Sequence, residues 1–327
     1  MTEGLTAPYP WQQSAWDSLA RRLVRDRLPH AVLLAGPEGL GKGALARHLA
    51  SALLCRDNAG PEPCGGCDGC RLMTAGNHPD FHHLAPEEGS RVIKVDAVRE
   101  LSHAMGLKSQ FGGYRVAIVA PAERMNTSAA NSLLKTLEEP PAGTVLVLVA
   151  HQPSRLPATI RSRCQVLQVH APDATDATHW LRQQGSDAAV ELLGVAGNAP
   201  LAAQALLEQG AAEVLDALLD QLSAIATGRM APVDAAGRWS KDQLGLVTAL
   251  LLSVMMDLAR VQGTAVKPRI SRLNELPATL DSEQLHGYLD QLLEQRRLAD
   301  HPLNAQLVLE SLFIRWSEIC PREAAHG

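Results

Sequence analysis

Two groups of residues have types and spacings suited to chemistry: a glycine-rich loop with a lysine, and a cluster of four cysteines. The loop follows the pattern Gly-x-x-x-x-Gly-Lys from Gly36 to Lys42, after the apolar run 31–35 and before a segment with leucine at every fourth position. This order predicts a strand, a turn and a helix, whose backbone N–H groups and lysine can hold phosphate. The residues predicted to form this site are Gly36, Gly39, Gly41, Lys42 and Gly43.

The residue after the lysine decides what the loop can do. In phosphate loops that hydrolyse nucleotide, this position is Ser or Thr, because the hydroxyl holds magnesium. Here it is Gly43, which has no side chain. The sequence therefore predicts a vestigial nucleotide site, with a phosphate cradle but without one of its metal ligands.

The four cysteines fall within 16 residues and include two overlapping Cys-x-x-Cys units. They are Cys55, Cys64, Cys67 and Cys70. Four thiolates at this spacing can surround one tetrahedral Zn²⁺, so we predict a structural zinc module over residues 55–70. The alternative is a redox pair at Cys64 and Cys67 or at Cys67 and Cys70. It is less favoured, because neither pair is predicted to open a helix directly after a strand.

Composition limits the function classes. The formal charge of −5 and the 3% aromatic content argue against a chain that binds nucleic acid by itself. The first residues lack a basic segment followed by an apolar core, so no signal peptide is predicted. The longest apolar run, 244–256, is shorter than the roughly 20 residues of a membrane span. We therefore expect a soluble, cytoplasmic protein without membrane contact.

The apolar runs predict five strands, at 31–35, 80–84, 115–120, 144–150 and 164–169, which alternate with helical segments. This alternation predicts a parallel sheet with helices on both faces. Asp96 is predicted to cap one of these helices, and Asn126 or Thr127 another. The helix expected over 10–27 is interpreted as packing on the first strand, with Trp11 and Trp16 in the core. From about residue 174 onward, only helices are predicted.

Further motifs occur in order along the chain. They are Asn77-His78-Pro79-Asp80, Met125-Asn126, the segment 131–141 that ends in Leu-Glu-Glu-Pro-Pro, and Arg161-Ser162-Arg163-Cys164. Together with the cysteine module, they closely resemble the delta prime subunits of bacterial DNA polymerase III clamp loaders, members of the AAA+ superfamily. The resemblance covers residues of about 10 to 210. The rest of the chain matches in length and helical character.

The resemblance implies a fold and an assembly. The expected domains are an AAA+ P-loop-like α/β domain at 1–169 with its zinc module, a helical lid at 170–209 and a helical collar at 210–327. The implied partners are the delta and the ATPase tau/gamma subunits in a hetero-pentamer. Through that complex, the chain is expected to act on the sliding clamp and on primer-template DNA.

Departures from the active pattern of the superfamily suggest which subunit role this chain has. The acidic pair that ends the third strand in active relatives would lie at Ala120 and Pro121, and the lid arginine near Pro200. Together with Gly43, these replacements predict a non-hydrolysing stator without ATPase or polymerase activity of its own. Nucleotide or phosphate could still occupy the remnant loop.

Arg163 is the catalytic residue that the resemblance implies. In the family, the arginine of Ser-Arg-Cys projects as an arginine finger into the ATP site of the adjacent subunit. Arg161 is a second candidate. Lys135, Glu138 and Glu139 form a charged helix end that suggests a partner contact, which the sequence does not identify.

Two alternatives remain open from the sequence. One is an active P-loop ATPase in which an unrecognised carboxylate holds magnesium, with Glu123 the nearest candidate. The other is a zinc-knuckle protein that binds nucleic acid autonomously, which would give a steep dependence of affinity on salt.

Overall fold

The computed structural model describes residues 7–57, 60–264, 268, 270–277, 280–297 and 304–321. The chain forms two compact units, Met1–Ala171 and Pro172–Gly327. The residues at which a signal peptide would begin, 1–6, lie outside the described part.

The first unit contains a five-stranded parallel sheet, in which the order is β2-β3-β4-β1-β5. The strands are β1 Ala31–Ala35, β2 Phe81–Leu84, β3 Arg115–Val119, β4 Thr144–Ala150 and β5 Gln165–Gln168. The residues of β1, β3 and β4 are all buried, as expected for apolar runs in the middle of a parallel sheet. The five predicted strands are thus present.

Helices cover both faces of this sheet. They are α1 Gln13–Val24, α2 Lys42–Leu54, α3 Asp68–Thr74, α4 Val95–Gly106, α5 Thr127–Glu138 and α6 Ala158–Arg161. Ala31, Leu33 and Ala35 of β1 share a hydrophobic cluster with residues of α4, α5 and α6. The alternate residues of the strand, Val32 and Leu34, are also fully buried, and α2 packs against β1, β3 and β4. The predicted α/β fold is confirmed.

The helix caps agree only in part with prediction. Asn126 caps α5, since its side chain accepts a hydrogen bond of 2.8 Å from the backbone N–H of Ala129. Asp96 does not cap α4, because that helix begins at Val95 with Lys94 at the cap position. Asp96 instead pairs with Arg99 one turn later, at 3.1 Å.

The parallel direction of the strands brings several loops to one edge of the sheet. The loop at 36–41 follows β1, residues 120–124 follow β3, and residues 151–152 follow β4. Because β3, β4 and β1 are consecutive neighbours, the residues after their carboxyl ends lie close together. This edge contains the candidate phosphate site.

The second unit is helical over its described residues. Its helices are α7 Ala174–Gln183, α8 Asp187–Glu191, α9 Pro200–Glu208, α10 Ala211–Ala226, α11 Pro232–Ala236, α12 Leu244–Gly263, α13 Ser282–Arg297 and α14 Ala305–Ile319. Their buried apolar side chains form one core, with Tyr288, Phe313 and Trp316 fully enclosed. The division of this unit into a lid and a collar at 209/210 stays a prediction.

The segment Lys241–Gly263, which includes α12, is long and apolar enough to cross a membrane by length and composition alone. Half of its most apolar window is nevertheless buried inside the unit. Val247, Leu251 and Met255 of α12 belong to the helical core. A core helix explains its composition, as the sequence predicted.

Candidate functional site

The phosphate loop keeps its shape because two of its glycines are closely covered. A Cβ atom added to Gly36 would lie 2.2 Å from the carbonyl oxygen of Val169, and one added to Gly41 would lie 2.5 Å from the ring of Tyr9. Gly41 has a φ of 70° and caps α2, a backbone conformation that favours glycine. Both positions therefore require glycine for the packing of this loop.

The segment before α1 packs directly on the loop. The indole Nε1 of Trp11 and the amide Nε2 of Gln12 both donate to the carbonyl oxygen of Leu40, at 3.0 and 2.7 Å. Gln12 is fully buried, and the rings of Tyr9 and Trp11 are stacked 5.0 Å apart. These polar contacts were missed by the sequence interpretation, which assigned Trp11 to plain core packing.

Lys42 occupies the position at which a phosphate-loop lysine meets phosphate, but its ammonium group bonds within the loop. It is 2% exposed, and its Nζ donates to the carbonyl oxygen of Pro37 at 2.5 Å. Burial lowers the pKa of Lys42 to about 8, although the carboxylates of Glu123 and Glu38 act in the opposite direction. The group is therefore a partly desolvated cation.

The residues around this lysine provide few ligands for magnesium. A Cβ atom added to Gly43 would meet no described atom within 4 Å, so the fold leaves room for a hydroxyl side chain that the sequence lacks. After β3, Ala120 and Pro121 offer no carboxylate. The nearby Glu123 already accepts backbone N–H bonds from His151 and Gln152, at 2.9 and 3.0 Å, through its Oε1. Its Oε2 is buried and has no hydrogen-bond partner among the residues that the structure describes.

The four predicted cysteine ligands come together. All four sulfur atoms lie within 4.8 Å of one another. The Sγ atoms of Cys55 and Cys67 are 3.8 Å apart, and those of Cys64 and Cys70 are 3.9 Å apart. A tetrahedral Zn²⁺ with Zn–S bonds of about 2.3 Å requires sulfur atoms about 3.8 Å apart, so the cluster fits zinc in ligand type and spacing.

Backbone N–H groups point at these sulfur atoms and favour thiolates. Cys67 accepts from the N–H groups of Arg56 and Cys70, at 3.3 and 3.4 Å. Burial alone would raise the pKa of the Cys67 thiol, but these donors and the thiols of Cys64 and Cys70 lower it to about 6. Burial raises the pKa of the Cys70 thiol well above its ordinary value. Bound metal would keep all four deprotonated.

Cys67 also caps the short helix α3, which contains Cys70. Cys67 and Cys70 therefore open a helix, as in a redox site, but the described residues before them, 60–66, form bends and irregular backbone rather than a strand. The observed context still differs from a thioredoxin-type site, in agreement with the expectation.

One acidic residue of the cysteine loop ties it to the rest of the unit. Glu62 accepts from the indole Nε1 of Trp16 in α1 at 2.5 Å, and from Nε2 of His48 in α2 at 2.8 Å. Trp16 and His48 also meet edge to face, with ring centroids 4.4 Å apart. The sequence interpretation missed this contact, since Trp16 and Glu62 are 46 residues apart and carry no shared motif.

The Asn-His-Pro-Asp motif has a structural role in this fold. The carboxylate of Asp80 is buried and accepts from the hydroxyl of Ser109 and from the backbone N–H groups of Gln110 and Phe111. The ring of His78 packs edge to face on Phe111. The motif thus fixes the loop that precedes β3.

Arg163 lies two residues after α6, at the surface of the first unit. Its side chain is 36% exposed, and its guanidinium contacts Glu138 at the end of α5. Arg161 is also exposed, and its side chain makes no hydrogen bond or ion pair with the described residues. The two candidate arginines therefore differ in how firmly they are held.

The parallel sheet with β1 between β4 and β5, the glycine loop after β1 and the following helical unit define a P-loop protein of the AAA+ class. Residues 11–173 match the family described as "DNA polymerase III, delta subunit", and residues 210–318 match "DNA polymerase III, delta subunit, C terminal".

Two named relatives agree with these family matches. The chain is 37% identical over 323 residues to "DNA polymerase III subunit delta'" of Pseudomonas aeruginosa, covering 95% of this chain and 98% of that protein. It is 32% identical over 317 residues to the Escherichia coli subunit of the same name, covering 94% of each. A solved gamma subunit-related protein from Thermotoga maritima is 19% identical with a TM-score of 0.46, covering 94% of this chain and 99% of that one. The chain belongs to the delta prime family of DNA polymerase III clamp-loader subunits.

Proposed function

We propose that this chain is the non-hydrolysing stator of its clamp loader and supplies Arg163 in trans to the ATP site of a neighbouring subunit. The partners in this proposal are the delta and tau/gamma subunits in a hetero-pentamer, in the cytoplasm. The sliding clamp and primer-template DNA are engaged through that complex.

The observation that carries the proposal is the state of the phosphate site. Hydrolysis needs a magnesium ion held by a hydroxyl after the lysine and by a carboxylate after the third strand. Gly43, Ala120 and Pro121 offer neither. The burial of Lys42 and the Tyr9 ring that packs against Gly41 further disfavour the binding of a magnesium-nucleotide complex.

Arg163 suits the catalytic role because a guanidinium can stabilise the charge that develops on the γ-phosphate. An arginine finger is worth about 10³–10⁵ in rate. The exposure of Arg163 leaves it accessible to a neighbouring subunit. Its planar group of N–H donors matches phosphate oxygens better than an ammonium does.

We also propose that Cys55, Cys64, Cys67 and Cys70 hold one structural Zn²⁺. The sulfur spacing supports this choice of metal. With all four ligands from protein, the ion would have no open position for catalysis. Its contribution would be to crosslink a glycine-rich loop that has little core of its own.

An active ATPase is the second candidate, and one observation favours it. The Oε2 of Glu123 lies in the loop after β3, is buried, has no partner within the described part of the chain and could serve as a metal ligand. Magnesium-dependent hydrolysis by the isolated chain would support this candidate and contradict the stator proposal.

The test uses the purified chain and the complete loader. The chain alone is expected to show no magnesium-dependent ATP hydrolysis. Loaders assembled with Arg163→Ala are expected to assemble normally but to hydrolyse ATP at least twofold more slowly and to load clamps more slowly. Other subunits carry their own fingers, so the full factor of an arginine finger is not expected. Arg161→Ala is measured in parallel because Arg161 is the second candidate, and Arg99→Ala, which removes an exposed arginine of α4, is the matched control. Wild-type rates with Arg163→Ala would overturn the finger assignment.

A further inference from the structure

Arg163 is held by contacts from two different helices. Its Nη2 lies 2.5 Å from Oε1 of Glu138, the last residue of α5. Its Nη1 donates to the carbonyl oxygen of Thr159 in α6 at 3.0 Å. Both terminal nitrogens of the guanidinium are therefore restrained, which fixes the direction of a long side chain that would otherwise sample many rotamers.

Glu138 stands at an unfavourable place for a carboxylate. The carbonyl end of a helix carries partial negative charge, which disfavours an acidic side chain there. The guanidinium of Arg163 provides the compensating cation. The ion pair therefore explains how an acid is accommodated at this helix end.

The neighbouring charged residues do not share this contact. Glu139 follows Glu138 directly and is exposed, and its side chain makes no hydrogen bond or ion pair within the described part of the chain. The same holds for Arg161 beside Arg163. Lying in the same charged cluster is therefore not enough to form an ion pair, and the contact is confined to Glu138 and Arg163 within this group of four residues.

We propose that Glu138 is the positioning residue for Arg163. Its carboxylate holds the guanidinium in one orientation before the neighbouring nucleotide arrives. A guanidinium carries five N–H donors, so donors remain for phosphate oxygens while Glu138 and Thr159 are engaged. This inference rests on the proposed finger role of Arg163.

The test compares variants in an otherwise wild-type loader, after confirming assembly by co-elution. Glu138→Ala is expected to lower kcat for ATP hydrolysis at least twofold with an unchanged KM, since orientation is lost but nucleotide binding is not. Glu138→Gln should retain most of the rate, because its amide oxygen can still accept from Nη2. Glu100→Ala, which removes another exposed helical carboxylate, from α4, is the matched control and should behave as wild type. If Glu138→Ala does not assemble, Glu138→Asp provides the comparison, with an expected fall because its carboxylate is one methylene short.

A double-mutant cycle separates positioning from other effects. In the Arg163→Ala background, Glu138→Ala should cause no further fall, because a positioning residue acts through its partner. A wild-type or increased rate for Glu138→Ala, or a fall that persists without Arg163, would overturn the inference. If Arg163→Ala itself has no effect, the finger role fails instead.

Discussion

Two glycines of the phosphate loop have opposite surroundings, and this difference predicts opposite effects of a methyl group. Gly36→Ala places a Cβ atom against the backbone oxygen of Val169 and is expected to destabilise the fold by more than about 1 kcal/mol. Gly43→Ala enters open space at the start of α2 and is expected to be neutral or to stabilise by up to about 1 kcal/mol.

Denaturant unfolding of both variants, compared with wild type, checks this prediction. Equal stability of Gly36→Ala and wild type would contradict the close contact. A large loss of stability in Gly43→Ala would mean that the fold requires glycine at this position, which would contradict the open space beside it.

The buried ammonium of Lys42 predicts a pH-dependent stability. Because burial lowers its folded pKa to about 8 from 10.5, the unfolded chain binds this proton more tightly. The contribution of Lys42 to the stability of the folded chain is therefore fully present above about pH 10.5, and it is lost as the pH falls through about 8. At pH 7, Lys42→Met is therefore expected to be about 1–3 kcal/mol more stable than wild type.

Urea unfolding at several pH values from 7 to 10.5 measures this difference, which should shrink as the pH rises. Lys94→Met, at an exposed lysine paired with Glu87, is the control and should show little pH-dependent difference. A constant difference for Lys42→Met would mean that the lysine is not desolvated.

At the scale of elements, Glu62 couples the cysteine loop to α1 and α2, which predicts a spectroscopic signal for the metal. Removing zinc should release Glu62 from Trp16 and change the tryptophan fluorescence. Trp16→Phe should lose most of that change while binding zinc normally. Trp239→Phe, in the second unit, is the matched control and should retain it.

Metal analysis under reducing, chelator-free conditions accompanies this experiment. About one equivalent of zinc per chain is expected, and Cys64→Ser should lower it. Less than a tenth of an equivalent in the wild type would contradict the zinc site. A fluorescence change that is unaffected by Trp16→Phe would contradict the coupling through Glu62.

The sequence predicted the elements whose causes are local. The apolar runs predicted the strands, and the spacing of the cysteines predicted the cluster of Cys55, Cys64, Cys67 and Cys70. The contacts of Gln12 with Leu40 and of Trp16 with Glu62 were not predictable in this way, since they join residues 28 and 46 positions apart whose pairing depends on the finished fold. The prediction that Asp96 caps α4 was wrong, because the helix begins one residue before Asp96 and a cap must precede the first turn.

For the whole molecule, the two compact units predict independent folding. The fragment Pro172–Gly327 has its own core around Trp316 and Phe313, and at this size a domain can bury enough surface to be stable. Expressed alone, it is expected to be helical by circular dichroism and to unfold cooperatively with heat. Trp316→Ala should destabilise it by about 3–5 kcal/mol. A gradual, non-cooperative melt of the fragment would contradict independence.

The strand order has a consequence for synthesis on the ribosome. β1 is among the first elements made, yet it lies between β4 and β5, and its residues are almost fully buried only once both are in place. Since β4 begins roughly 110 residues after β1 in the chain, and synthesis proceeds at about 5–20 residues per second, β1 waits about 5–20 s for its first partner strand. During that interval, the nascent chain carries an uncovered Ala-Val-Leu-Leu-Ala segment, which makes it a natural client for chaperones that shield apolar peptides.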